Sequence, residues 1–221
     1  ITMSLEKRKK LLALAEKYDV MIFEDNPYGE LRFAGEEVPT IKSMDKDCRV
    51  IYGGSFSKVL SPGLRLGFVS CDPALMERMI ICKQAEDVHT TQLTQMLAYE
   101  FFTKYDIDEH IALLRKTYGE KCSFMMECMD KYFPASVTHP HPQGGLFIFC
   151  TMPDGYDSTE VMQKALDKGV AFVPGVTTMI DTDAVYSTFR LNYSVSTFEQ
   201  IEKGIKLLGE VLKETVGEAN V

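Results

Sequence analysis

Only seven residues, 59–65, separate Lys58 from the apolar run that begins at Leu66. A second apolar run, Arg49–Gly54, ends just before that lysine. Two parallel neighbouring strands need a crossover of about a dozen residues or more. The run at 66–70 is therefore predicted to lie antiparallel to the one at 49–54. Ser61-Pro62-Gly63 supplies turn chemistry between them. Lys58 and Arg65 then face each other near one end of the sheet.

The stretch from Asp25 to Cys48 is long enough for a parallel crossover. It follows Val20–Phe23, an apolar run without alternation, which fits a strand buried on both faces. The predicted sheet is thus mixed, within an α/β fold. The run ends in Glu24-Asp25-Asn26-Pro27, where open α/β sheets place their ligands. Before it, Leu5, Leu11, Leu12, Ala15 and Tyr18 recur at helical spacing, so 4–18 reads as an amphipathic helix.

Asp72-Pro73 is a cap and first-turn pair for a helix to about Gln84. Helical patterns fill 91–132, broken near Tyr105-Asp106. The part from 107 to 132 would be about 39 Å long at 1.5 Å per residue. It reads as the connector into a second, smaller α/β domain. That domain is expected to hold strands at 145–151, 170–173 and 186–193, and helices at 158–168 and 198–215. Asp157-Ser-Thr-Glu160 and Thr197-Phe-Glu-Gln200 both resemble capping boxes.

Composition excludes several partners. Lys and Arg number 24 against 32 Asp and Glu, a net charge of −8, which argues against general affinity for nucleic acid or anionic membranes. No apolar run approaches the ~20 residues needed to span a bilayer. The six cysteines form no C-x-x-C pair and read as reduced, mostly buried thiols of a cytoplasmic protein. The twelve methionines read as helix-packing core. His139-Pro-His141 has no third ligand at useful spacing and reads as loop. His89 falls near a predicted helix start, and near the mouth of any site there.

Lys58 is the first candidate for chemistry. An amine attacks a carbonyl only when unprotonated, a state favoured by a sheltered position near fixed positive charge. Gly53, Gly54 and Ser55 before it are small and would leave room for a ligand. The hydroxyls of Ser55 and Ser57 with the guanidinium of Arg65 suit a phosphate dianion. At the end of the other strand, the carboxylate of Asp25 could hold a ring nitrogen protonated, and Tyr28 could donate to a phenolate oxygen.

Four pieces now stand in order: D-N-P-Y at 25–28, S-F-S-K at 55–58, P-G-L-R-L-G at 62–67 and F-R-L-N-Y at 189–193. Over essentially its whole length the chain resembles the fold type I pyridoxal-phosphate enzymes. More narrowly it resembles class I/II aminotransferases of the kynurenine/2-aminoadipate aminotransferase branch. The resemblance implies pyridoxal 5'-phosphate as cofactor, amino acid and 2-oxo acid substrates, and a homodimer. It implies that Lys58 carries the cofactor covalently and then moves a proton. By the same resemblance Asp25 pairs with the pyridine nitrogen and Tyr28 donates to the ring oxygen. Ser55, Ser57 and Arg65 then hold the phosphate, and Arg190 clamps the substrate α-carboxylate.

The family's large domain begins well before this chain does. Ile1-Thr2-Met3-Ser4 resembles the residues that follow an Asn-Pro-Thr-Gly turn of that domain. The resemblance implies a C-terminal portion, not fully active alone. Residues 1–106 would complete a large cofactor-binding domain, and 107–221 would form the connector helix and the small domain. Two other readings keep the same lysine motif. One is the aminotransferase-like, pyridoxal-phosphate-sensing domain of a winged-helix transcription regulator, and the other is a lyase or decarboxylase on the same fold.

Overall fold

The computed structural model describes residues 2–217. Ile1, on which part of the resemblance rests, lies outside them. The chain divides into two compact units, at Arg115/Lys116.

The first unit opens with helix α1, Leu5–Tyr18, whose N-cap Ser4 accepts from the Lys7 amide. Asp19 caps its other end in the left-handed region, and the Val20 amide still donates to Ala15. Val20 therefore belongs to the helix end. Strand β1 spans Ile22–Asp25, two residues later than expected at its start, beginning where the Ile22 amide meets the Arg49 carbonyl.

Strand β2, Val50–Ser55, pairs parallel with β1, and β3, Gly67–Ser70, pairs antiparallel with β2. The mixed order β1-β2-β3 is the one forced by the seven-residue gap. Helices α3, Pro73–Glu86, and α4, Gln92–Lys104, follow, and α5 begins at Ile107 and runs to Tyr132. Asp72 caps α3 through the Ala74 amide. The break before α5 is set by Asp106, whose carboxylate accepts from the Asp108 and Glu109 amides.

The crossover between β1 and β2 contains α2, Ile41–Met44, a helix too short to show a period in the sequence. Leu12, Ile41 and Val50 form a buried cluster, with Ile22 and Met44 packed against it. Helices α1 and α2 thus cover one face of the β1/β2 pair. On the opposite face, among the described residues, Phe23 of β1 is 59% exposed and Val69 of β3 39%. The expectation of a strand buried on both faces fails here, because β1 alternates between half-buried and exposed residues.

Asp45 fastens the end of this crossover. Its side chain is 1% exposed. The Arg49 and Val50 amides donate to it at 3.1 and 2.9 Å, and Lys42 Nζ lies at 3.3 Å. Burial works against ionisation, but the amides of Val50 and Arg49, the Lys42 ammonium and the Asp47 amide together hold the carboxyl below the usual carboxylate range. A carboxyl depressed in the folded state stabilises fully above its unfolded pKa of about 4, and that contribution is lost as pH falls through the lower folded value. Asp45→Ala should cost about 2 kcal/mol in urea unfolding at pH 7, with a smaller penalty below pH 3.

The second unit contains the rest of α5, β4 at Phe147–Thr151, α6 at Ser158–Asp167, β5 at Val173–Pro174, β6 at Thr188–Asn192 and α7 at Phe198–Val216. β6 is the middle strand and antiparallel to both neighbours. Its inward residues Phe189 and Leu191, with Ile148 and Cys150 of β4, are buried. They share this core with Val161 and Ala165 of α6 and Ile205, Leu208 and Leu212 of α7.

Thr197 and Gln200 form the expected capping box of α7. Asp157 instead bonds the Thr159 amide, a simple cap one position short of the box. A Cβ at Gly209 would stand 2.5 Å from the Tyr132 carbonyl, so this glycine sets the approach of α7 to the end of α5.

All six cysteines are free, but only Cys122, Cys128 and Cys150 are buried. Burial pushes all three thiols up. Cys48 and Cys82 are exposed, so the thiols are not mostly buried as expected. The methionines divide too: Met125, Met129 and Met152 are core, whereas Met96 is exposed. No helix among the described residues is long and apolar enough to cross a membrane.

Candidate functional site

Two strand ends build the site of the first unit. β1 and β2 are parallel, and Asp25 stands opposite Gly53, so both carboxyl ends open on one side. Glu24 and Asp25 are adjacent, and their side chains leave the strand on opposite faces. Glu24 faces α2, where its two oxygens accept the Ile41 and Lys42 amides at 2.8 Å each. Its acidity is spent on a helix N-terminus. Among the described residues no hydrogen bond or ion pair reaches the Asp25 carboxylate.

Beyond Asp25 the chain turns through Asn26-Pro27. Asn26 Nδ2 donates to the Tyr52 hydroxyl at 3.0 Å, tying this loop back to β2. Tyr28 follows, half-buried, before a 3-10 turn at Gly29–Leu31. Lys58 Nζ lies 6.0 Å from the centre of the Tyr28 ring. Lysine and tyrosine thus meet from two loops thirty residues apart in sequence.

Lys58 sits in a tight turn that continues β2. The Phe56 amide extends the ladder to the Leu66 carbonyl, and the Leu60 and Ser61 amides both donate to the Phe56 carbonyl. Ser55 Oγ accepts the Ser57 amide at 3.1 Å, so the two serines are locally joined. Arg65 ends the 3-10 turn Pro62–Leu64 with φ 54°, a left-handed backbone unusual for a side chain of this size. Its exposed guanidinium donates to the Pro62 carbonyl at 3.2 Å. Lys58 and Arg65 therefore occupy one hairpin connection.

The glycines before Lys58 serve a different purpose from the one expected. A Cβ at Gly53 would stand 2.8 Å from the Phe23 ring, and one at Gly54 would stand well inside contact distance of the Phe68 ring. The room they leave is filled by two aromatic side chains, not reserved for a ligand. The donor set itself does fit pyridoxal phosphate. An amine, a phenol and a free carboxylate match its aldehyde, ring oxygen and ring nitrogen, and two hydroxyls with a guanidinium match its phosphate.

In the second unit Arg190 stands on β6, opposite Phe149 and Val173. Its guanidinium lies 4.2 Å above the Phe147 ring. Its Nε is buried without a hydrogen-bond partner. A flat cation held by an aromatic face, with an N–H unspent, is suited to a two-point grip on a carboxylate. Tyr193, at the other end of the same motif, is structural: buried, with its hydroxyl donating to the Gly145 carbonyl at 2.7 Å.

His139 lies 3.4 Å from Asp130 and 6.0 Å, ring to ring, from His141. The ring of exposed His89 lies 3.0 Å from the neighbouring Thr90 carbonyl. Among the described residues no group of His, Cys, Asp and Glu is arranged to hold a metal ion. Sequence reasoning missed Glu24 and His110. Glu24 is hidden by the neighbouring Asp25, and the partner of His110 lies fifty-one residues away.

The profile of the Aminotransferase class I and II family matches residues 1–208. Aromatic-amino-acid aminotransferase 1 of Thermococcus litoralis is 40% identical over 97% of this chain and 51% of its own length. The Pyrococcus horikoshii kynurenine aminotransferase, solved in complex with PMP, superposes with a TM-score of 0.92 at 40% identity, over 97% of this chain and 53% of that one. LysN, the α-aminoadipate aminotransferase of Thermus thermophilus complexed with N-(5'-phosphopyridoxyl)-L-leucine, gives 0.89 at 34%, over 95% and 54%. The chain spans about half the length of the curated relatives it matches. A match over most of the sequence, on the mixed sheet and strand-end lysine described above, means that the chain belongs to the class I and II aminotransferases.

Proposed function

We propose that this chain is the lysine-bearing part of a pyridoxal-phosphate-dependent aminotransferase that moves an amino group between an α-amino acid and a 2-oxo acid. The observation that carries the reading is the meeting of Lys58 Nζ with the Tyr28 ring, 6.0 Å apart, beside the carboxyl ends of two parallel strands. In this reading residues 1–106 belong to the large cofactor-binding domain, and 107–221 comprise the connector helix and small domain. The intact protein is a cytoplasmic homodimer.

When bound, pyridoxal phosphate supplies an electron sink that makes the substrate Cα–H bond acidic. The chain's own residues do the rest. Arg65, Ser55 and Ser57 bind the phosphate as donors. Asp25 holds a proton on the pyridine nitrogen, and Tyr28 donates to the ring oxygen. Lys58 would hold the cofactor through its amine, and the same Nζ, when free, would take up and return the Cα proton. Arg190 fixes the substrate carboxylate and so orients that C–H bond.

The test is amino-acid/oxo-acid exchange by the intact protein. Exchange with release of a 2-oxo acid is expected. Cofactor binding without exchange would favour a regulator, and release of carbon dioxide or ammonia would favour a decarboxylase or lyase. Arg190→Lys gives up one of two charge-assisted hydrogen bonds. It should weaken amino-acid use about 10–100-fold, mainly in KM, in steady-state assays. The unspent Nε of Arg190 supports that expectation.

A further inference from the structure

We infer that His110 is a positioning residue for Lys58: it holds the Lys58 turn by the backbone and thereby sets where the amine points. The inference rests on the proposed role of Lys58 in binding pyridoxal phosphate. His110 Nε2 lies 2.8 Å from the Val59 carbonyl oxygen. A carbonyl only accepts, so Nε2 carries the proton and donates. Val59 is buried and directly follows Lys58. Its carbonyl lies where the turn ends, and the Leu60 and Ser61 amides have already closed onto Phe56. Without His110 this carbonyl would be left without its partner, a costly state for a backbone group.

The other side of Lys58 is held through the same helices. Phe56, two residues before the lysine, packs against Phe68 at 5.5 Å and Phe102 at 5.2 Å. Phe102 touches Phe101, and the Phe101 ring meets the His110 imidazole edge-on at 5.4 Å. Phe56 and Val59 therefore flank Lys58 inside a closed circuit of contacts through α4 and the first turn of α5. The imidazole is fixed by Phe101, and its helix start by the Asp106 cap.

The same stretch of α5 also reaches the loop that carries Tyr28. Arg115 Nε donates to the Glu30 carbonyl at 2.7 Å, and its guanidinium lies 3.6 Å from the Glu30 carboxylate. One helix, over two turns, thus grips the backbone beside both residues that meet at 6.0 Å. Neither His110 nor Arg115 touches the reacting groups; each acts through the loop it holds.

The experiment compares His110→Phe, which keeps a ring against Phe101 but cannot donate, with His110→Gln, which can donate to Val59. Both are made in the intact protein. Three quantities are read: the rate at which pyridoxal 5'-phosphate attaches to Lys58, by borohydride trapping and peptide mass spectrometry; amide hydrogen exchange at Leu60 and Ser61; and melting temperature. For H110F, attachment is expected to slow about tenfold and exchange at both amides to rise about tenfold, the effect of one hydrogen bond. H110Q should recover most of both. Attachment at the unaltered rate in H110F would overturn the inference. So would a slowing that Gln fails to recover, or one that follows melting temperature across the two variants, since either marks general destabilisation. Failure of the cofactor reading appears separately, as an unmodified Lys58 in the unaltered protein.

Discussion

Replacing Lys58 by alanine is expected to lower kcat for amino transfer about 10⁴-fold or more in the intact protein. The size follows from the two roles one amine holds: covalent attachment of the cofactor and movement of the Cα proton. Lys58→Arg should be about as inactive. Arginine keeps the positive charge near the Tyr28 ring but stays protonated and cannot attack a carbonyl. A lysine that served only as surface charge would tolerate that change. Steady-state exchange assays on both variants, with melting temperatures within a few degrees of the parent, check the prediction.

The second large effect belongs to Asp25. Asp25→Asn should reduce kcat about 10²–10³-fold, the scale of losing one oriented electrostatic contact to developing charge. The amide is close in shape to the carboxylate, and no hydrogen bond of the described residues depends on the carboxylate oxygens. Folding should therefore be almost unchanged. Lys58 should still take up the cofactor in D25N, because attachment needs the amine and not the ring proton. The expected pattern is retained attachment with lost turnover. Glu24→Gln, one residue earlier, should give the reverse. It weakens the cap on the Ile41 and Lys42 amides and lowers stability by about 1 kcal/mol, leaving the chemistry in place. Adjacent carboxylates on opposite faces of one strand should thus separate cleanly into catalysis and stability.

Much of the fold was legible because local rules and chain length leave few alternatives. The seven residues between Lys58 and Leu66 cannot make a parallel crossover, and β3 is antiparallel. Asp72-Pro73 and Thr197-Phe-Glu-Gln200 carry their own capping chemistry, and both helices start there. What was not legible depends on partners distant in sequence. Helix α2 has four residues, too few for any period, and is held by Glu24 from seventeen residues away. Val20 reads as strand but is claimed by the end of α1.

The site shows the same division. D-N-P-Y and S-F-S-K can be read as letters, and the parallel register of β1 and β2 brings them to one side. The purpose of Gly53 and Gly54 could not be read so, because it depends on where the Phe23 and Phe68 rings lie. Nor could the hold of His110 on Val59, which only the packing of α5 against the Lys58 turn creates.

The central claim is that Lys58 bears the cofactor. It is tested most directly by reducing the intact protein with borohydride in the presence of pyridoxal 5'-phosphate and locating the pyridoxyl group by peptide mass spectrometry. The account predicts one adduct, on the peptide that contains Lys58. An adduct on another lysine, or none at all, would contradict it.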